Sequence, residues 1–179
     1  MPFKTALTQK LGITVPVVQG GMQWVGYAEL ASAIRNAGGL GIVVVEEGVR
    51  MVETAGNNSA PTITQLKEAN IIILHKCTTV KHAVSASKLS VEFLSTDGFE
   101  QELKVPFLAS GRFADGYGLA AALALGAEGI NMGTRFMCTV EATVHQNVRK
   151  AIVDAQETDT TLVLRRWKNT MRLYKNKAA

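Results

Sequence analysis

Residues Val105 to Arg135 read VPFLASGRFADGYGLAAALALGAEGINMGTR, and this stretch decides the fold. An apolar run from Val105 to Ala109 ends at Ser110-Gly111, and an alanine-rich segment from Asp115 to Leu125 follows. Gly126 closes that segment, and Gly129 to Met132 ends in its turn at Gly133-Thr134. Short apolar runs read as strands, the alanine-rich segment as a helix able to pack close to a sheet, and the glycines as stops. A strand, a helix and a second strand in this order form a parallel crossover unit.

Working outward, the same alternation recurs. Strands are predicted at Val15 to Gln19, Leu40 to Val45, Val49 to Thr54, Ile71 to Lys76, Val91 to Ser95 and Thr161 to Leu164. Helices are predicted at Tyr27 to Ala37, at Ile63 to Ala69 with Pro61 in the first turn, at Val80 to Lys88 and at Val140 to Ala155. The fold class is α/β, with mostly parallel strands. Glycine-bearing loops after two consecutive strands, Ser110-Gly111 and Gly133-Thr134, are the arrangement that binds phosphate at the carboxyl ends of the last strands of a (β/α)8 barrel. Two junctions are too short for that architecture. Only Glu46, Glu47 and Gly48 separate two predicted strands, and nine residues, Thr96 to Lys104, separate another pair; a parallel crossover takes about a dozen or more. These pairs are either antiparallel hairpins or places where segments of a larger parallel fold are missing.

Composition agrees with a packed α/β domain. The 179 residues are 47% hydrophobic and 19% charged, which excludes disorder. No apolar run approaches the roughly 20 residues of a membrane helix, and Met1-Pro2-Phe3-Lys4 lacks the features of a secretory signal, so the expected compartment is the cytoplasm. Of the net charge of +4, six cations without an acid fall between Arg165 and Lys177. No nucleic-acid motif accompanies them, and residues 165–179 read as a basic carboxyl-terminal tail after a domain spanning 1–164. His75 reads as a packed strand residue and His82 and His145 as surface or interface groups. Cys77 and Cys138 read as ordinary buried thiols, with no disulfide and no Cys/His cluster of metal-ligand spacing.

The chain resembles the nitronate monooxygenase family, formerly called 2-nitropropane dioxygenases. The matching stretches are Gln19-Gly20-Gly21-Met22, Asn36 to Gly41, Glu53 to Asn57, His75-Lys76-Cys77-Thr78, Asp97 to Glu100, Phe113 to Phe136 and Asn169 to Lys177. The resemblance implies an incomplete TIM-type (β/α)8 barrel, shortened at Val45/Glu46, after Glu100 and beyond Lys177. It implies FMN as cofactor and oxidation of an alkyl nitronate by O2 to a carbonyl compound and nitrite. Cofactor-binding positions carried over are Gly20, Gly21 and Met22 beside the flavin ring, Lys76 in the flavin region, and Ser110, Gly111, Asn131, Met132, Gly133 and Thr134 around the phosphate. Arg112 stands where the family pattern has a second glycine. The family's active-site histidine follows its Gly-Phe-Glu segment, but here Glu100 runs straight into Gln101, so no catalytic residue is carried over. Alternative readings are a non-catalytic remnant or interaction module keeping a partial flavin-phosphate site, and a flavin-dependent enoyl reductase on the same barrel. No nucleic-acid or membrane partner is expected; open barrel edges imply pairing between copies of the chain.

Overall fold

The computed structural model describes residues 3–22, 25–42, 51–55, 59–96, 105–164, 166 and 171–176, in two compact units, Met1–Thr143 and Val144–Ala179. The first holds, in order, α1 (Ala6–Leu11), β1 (Val17–Gln19), α2 (Ala28–Asn36), β2 (Leu40–Gly41), β3 (Met51–Ala55), α3 (Ala60–Glu68), β4 (Ile72–Cys77), α4 (Val80–Ser87), β5 (Phe93–Thr96), β6 (Phe107–Ser110), α5 (Gly116–Ala124), β7 (Gly129–Met132) and α6 (Thr134–Met137). All seven strands are parallel, in the order β2-β1-β7-β6-β5-β4-β3. This is the strand sequence of a (β/α)8 barrel opened between β2 and β3.

The two short junctions resolve differently. β2 and β3 are the opposite edges of the sheet and do not pair, so no crossover is needed between them. β5 and β6 are parallel neighbours, with Leu94 opposite Phe107, and not the antiparallel hairpin that the short spacing allowed. Residues 56–58 and the connections 43–50 and 97–104 lie outside the described residues.

Strand side chains alternate between two faces, and the two hydrophobic clusters divide accordingly. On the inner face Val18, Met51, Leu74, Phe93 and Leu108 pack against Leu7 and Leu11 of α1, which plugs the amino-terminal end. A side-chain carboxylate oxygen of Glu128, just before β7, accepts the backbone N–H of Ala6 and ties α1 there. This helix escaped the sequence reading because its capping box pairs Thr5 with Thr8 in place of the usual Glu or Gln. On the outer face Ile73, Cys77, Leu94, Ala109 and Ile130 meet Ile63 of α3, Ala83 and Ala86 of α4, and Leu119 and Ala122 of α5. The alanines let α5 lie close to β6 and β7, and Asp115 caps it by accepting the N–H of Gly118 at 3.0 Å.

The second unit contains α7 (Gln146–Asp154), a 3-10 turn at Glu157–Asp159, β8 (Thr160–Val163) and β9 (Met171–Tyr174). The helix predicted from Val140 begins only at Gln146. β9 pairs antiparallel with β8, so residues 171–174 of the expected carboxyl-terminal tail form a strand. Arg172 donates to the Thr160 hydroxyl at 2.8 Å and Lys175 to the Thr158 carbonyl at 2.6 Å, so two of the six clustered cations hold this hairpin.

Leu74 is fully buried at the centre of the inner cluster, whereas Tyr117 is 88% exposed. Leu74→Ala is expected to cost about 2–5 kcal/mol in denaturant unfolding. Tyr117→Ala is expected to stay within about 0.5 kcal/mol of the parent. Equal effects would contradict the assignment of the inner face.

Candidate functional site

At the carboxyl ends of the strands the inner face changes from apolar to polar. Glu53 on β3, Lys76 on β4, Ser95 on β5, Ser110 on β6 and Asn131 on β7 all continue the inward-facing parity of the residues two positions earlier. Glu53 Oε2 accepts the backbone N–H of Gly21 at 2.8 Å, and its other oxygen lies 3.5 Å from Asn131 Nδ2. Asn131 also donates to Ser95 Oγ at 3.2 Å, and Ser95 Oγ is 2.7 Å from Ser110 Oγ. One hydrogen-bonded chain therefore joins the ends of β1, β3, β5, β6 and β7. Asn131 and Ser95 are buried, where such contacts offset the loss of hydration.

The glycines fit into this chain closely. A Cβ on Gly20 would lie 2.7 Å from Asn131 Oδ1, one on Gly21 3.3 Å from Glu53 Oε2, and one on Gly133 3.4 Å from Met22 Sδ. Gly20 N–H also donates to the Met132 carbonyl at 2.9 Å. The expected positions Gly20, Gly21, Met22, Ser110, Asn131 and Gly133 thus converge on one mouth, whereas the Met132 side chain packs on the outer face and only its carbonyl meets Gly20. The loops after β6 and β7 are neighbours because Ser110 pairs with Asn131. Gly111 and Thr134 are exposed at the starts of those loops. Lys76 shares the inner face, half-buried, but the hydrogen-bonded chain runs through Glu53 and Ser95 instead. Neither of these two was selected as a site residue. The available signal was a carboxylate inside the strand run Met51 to Ala55, at a position whose parity points it inward.

Gly111 has φ 86° and Arg112 φ 59°, so the arginine adopts the left-handed conformation that the family's glycine would take freely. A non-glycine residue there costs roughly 1–2 kcal/mol. The glycines at the mouth thus leave little room for a Cβ, and the loops after β6 and β7 lie beside it.

The outer face carries a second cluster. Thr54 Oγ1 and His75 Nδ1 are 2.7 Å apart, and His75 Nε2 and His82 Nε2 are 3.1 Å apart, their rings nearly perpendicular. His75 is buried and His82 half-buried, as residue type and position suggested. Burial, and then the neighbouring His82, lower the His75 pKa, so the ring is held neutral. Burial pushes the Cys77 thiol up to about 11. Cys138 is half-buried, and both cysteines are free. His145 caps α7 in the second unit by accepting the N–H of Asn147 at 3.2 Å.

The fold is an incomplete parallel (β/α) barrel with a polar, glycine-lined mouth at the carboxyl ends of its strands. The chain belongs to the nitronate monooxygenase family, whose model matches residues 4–50 and 90–178. Members of that family are flavin-dependent. Among curated relatives, the chain is 29% identical over 228 residues to (3aS,4S,5R,7aS)-5-hydroxy-7a-methyl-1-oxo-octahydro-1H-indene-4-carboxyl-CoA dehydrogenase of Mycobacterium tuberculosis; the match covers 92% of this chain and 64% of the relative. It is 28% identical to a probable nitronate monooxygenase of Staphylococcus aureus, over 61% of this chain and 39% of that protein. The chain thus spans less than two thirds of the length of these relatives. Among solved structures, FabK from Thermotoga maritima superposes with a TM-score of 0.89 at 26% identity, covering 98% of this chain and 76% of FabK. No helix among the described residues is long and apolar enough to cross a membrane.

Asn131→Asp places a second carboxylate beside Glu53. At neutral pH this change is expected to destabilise by about 2–4 kcal/mol, because like charges then share a buried site. The close pair raises the folded-state pKa of one carboxyl above its unfolded value. The penalty should therefore shrink as pH falls and that group takes up its proton; a penalty unchanged between pH 7 and pH 4 would show that Glu53 does not face Asn131.

Proposed function

We propose that this chain is an FMN-binding oxidoreductase domain that oxidises small organic anions, alkyl nitronates being the substrate class. The observation that carries the reading is the convergence of Gly20, Gly21, Asn131 and Gly133 on a mouth in which a Cβ at any of the three glycines would meet a neighbouring side chain. Ser110, Gly111, Gly133 and Thr134 would hold the phosphate, through backbone N–H groups and hydroxyls from two neighbouring loops. Gly20, Gly21 and Met22 would lie beside the ring, with Asn131 beneath it. When bound, the flavin supplies the electron acceptor for the substrate and passes electrons to oxygen, giving a carbonyl compound and nitrite.

The protein's own part is charge and position. A nitronate arrives already deprotonated, so binding it asks for a cation near its charged oxygens and its oxidation does not ask for a base to form the anion. Lys76 is the inward-facing cation at a strand end, and Glu53 holds Gly21 so that the β1 loop keeps its place. His75 and His82 stand on the other face of the sheet and take no part. A second reading, oxidoreduction of a CoA thioester, is favoured by the 92% coverage of this chain in its match to the indene-carboxyl-CoA dehydrogenase. The unpaired edges of β2 and β3 also support self-association of the barrel in solution.

The test uses the purified chain with added FMN. Saturable quenching of flavin fluorescence and FMN-dependent nitrite release from propionate 3-nitronate are expected. Lys76→Met should lower kcat/KM about tenfold or more, with FMN still bound, since each factor of ten corresponds to about 1.4 kcal/mol of lost transition-state stabilisation. Turnover of a CoA thioester without nitrite release would select the second reading, and failure to bind FMN would overturn both.

Arg112→Gly separates strain from binding. It should stabilise the fold by about 1 kcal/mol, through relief of the left-handed conformation. Weaker FMN binding in this variant would assign the guanidinium to the phosphate; unchanged binding would assign only the backbone.

A further inference from the structure

We propose that His75, Cys77 and His82 form a binding site for a borderline-soft divalent metal ion, zinc being the ion whose chemistry they match, on the outer face of the barrel between β4 and α4. Residues 51–89, which include these three, lie between the two segments matched by the family model, and the site is independent of the flavin reading. The His-x-Cys spacing on β4 puts His75 and Cys77 on one face of the strand, because side chains repeat every second residue. β4 ends at Cys77, Thr78 and Thr79 make the turn, and α4 then brings His82 back over the strand. The Thr79 hydroxyl caps α4 by accepting the N–H of His82 itself at 3.2 Å, which fixes the third ligand's backbone. Sequence spacing alone did not reveal the cluster, since the turn between strand and helix decides whether His82 meets His75.

The geometry is that of a ligand set. His75 Nε2 and His82 Nε2 are 3.1 Å apart, and all three ligand atoms lie within 4.8 Å of one another. In a tetrahedral zinc site with Zn–N of 2.0–2.1 Å and Zn–S of 2.3 Å, neighbouring ligand atoms are separated by roughly 3.3–3.6 Å. Small side-chain rotations supply the contraction. Both histidines present Nε2 to each other. His75 meanwhile keeps Nδ1 for Thr54 Oγ1 at 2.7 Å, so that the threonine fixes ring orientation as an outer partner of the metal. Two imidazoles and a thiolate select zinc-like ions over magnesium or calcium. Cys77 lies among Ile73, Ala83 and Ala86, which gives the site an apolar shell, and half-buried His82 gives it access to solvent. Three protein ligands leave a fourth position for water or a small anion. On binding, Cys77 loses its thiol proton to solvent and the sulfur–metal bond replaces it; no redox change is involved.

The experiment uses the full chain, stripped with a chelator and titrated with Co(II) as a spectroscopic probe, followed by Zn(II) in competition. One equivalent of Co(II) should produce a thiolate-to-metal charge-transfer band and the intense visible bands of four-coordinate cobalt, both removed by zinc. Cys77→Ser should abolish the charge-transfer band. His82→Ala should weaken zinc binding about 100-fold and Thr54→Val about 10–100-fold, the usual effect of losing an outer partner. His145→Ala should bind as the parent does. Zinc at about 100 times its dissociation constant should raise the parent's melting temperature by roughly 5–10 °C, and His82→Ala should keep only about 1–2 °C of that rise at the same concentration. If Cys77→Ser does not fold, His82→Ala and Thr54→Val carry the test. No charge-transfer band in the parent, a band that survives in Cys77→Ser, or parental affinity in both His82→Ala and Thr54→Val would overturn the proposal and leave a His75–His82 hydrogen bond in its place.

Discussion

The carboxylate of Glu53 joins the two ends of an open sheet. Glu53 stands on the edge strand β3, and the N–H it accepts belongs to Gly21 at the end of β1, five strands away along the sheet. Among the described residues β2 pairs only with β1 and β3 only with β4, and a sheet with two such edges has no necessary curvature beyond its twist. The contact from Glu53 to Gly21, extended by Asn131, is possible only if the sheet curls back on itself. The mouth depends on this. Without the curl, Gly20 and Asn131 would still be neighbours through the β1–β7 pairing, but the wall contributed by β3 and β4, with Lys76 on it, would not face them.

Alternation along β4 separates the molecule into two chemistries. Leu74 and Lys76 face the barrel interior, and His75 and Cys77 face the helices. Adjacent residues of one strand therefore line the polar mouth on one side and a histidine–cysteine cluster on the other, with the sheet between them. A register slip of one residue would exchange the two sets, so the pairing of β4 with β3 and β5 is as much a functional constraint as a structural one. The shared histidine chemistry also explains why His75 takes no role at the mouth despite lying beside Lys76 in sequence.

The shortened connections have different structural consequences. The one between β2 and β3 opens the barrel, because its two strands become edges. The one between β5 and β6 leaves the sheet continuous, since Leu94 and Phe107 remain parallel partners. The spacing rule for crossovers identified both places as abnormal, but whether a short connection breaks a sheet depends on what the flanking strands pair with elsewhere. Much of the chain was legible before that question arose. The alanine run with its capping Asp115, the glycine stops and the strand runs placed α5, β6 and β7 within a residue or two of where they lie. The short helix α1 and the strand β9 were not legible, because one has an atypical capping box and the other exists only through its pairing with β8.

By itself the sequence determined the parallel α/β class, the family and most of the mouth. Those follow from local periodicity and from glycines whose missing Cβ atoms are a property of the residue. Only the tertiary structure decided that Glu53 and Ser95 belong to the mouth, that Arg112 takes a glycine's conformation, and that His75, Cys77 and His82 meet. Each of those facts concerns direction: which face a side chain leaves, how far a sheet curls, and where a turn sends the next helix. Direction is set by pairing and packing between segments distant in the chain, which no spacing of residues along it records.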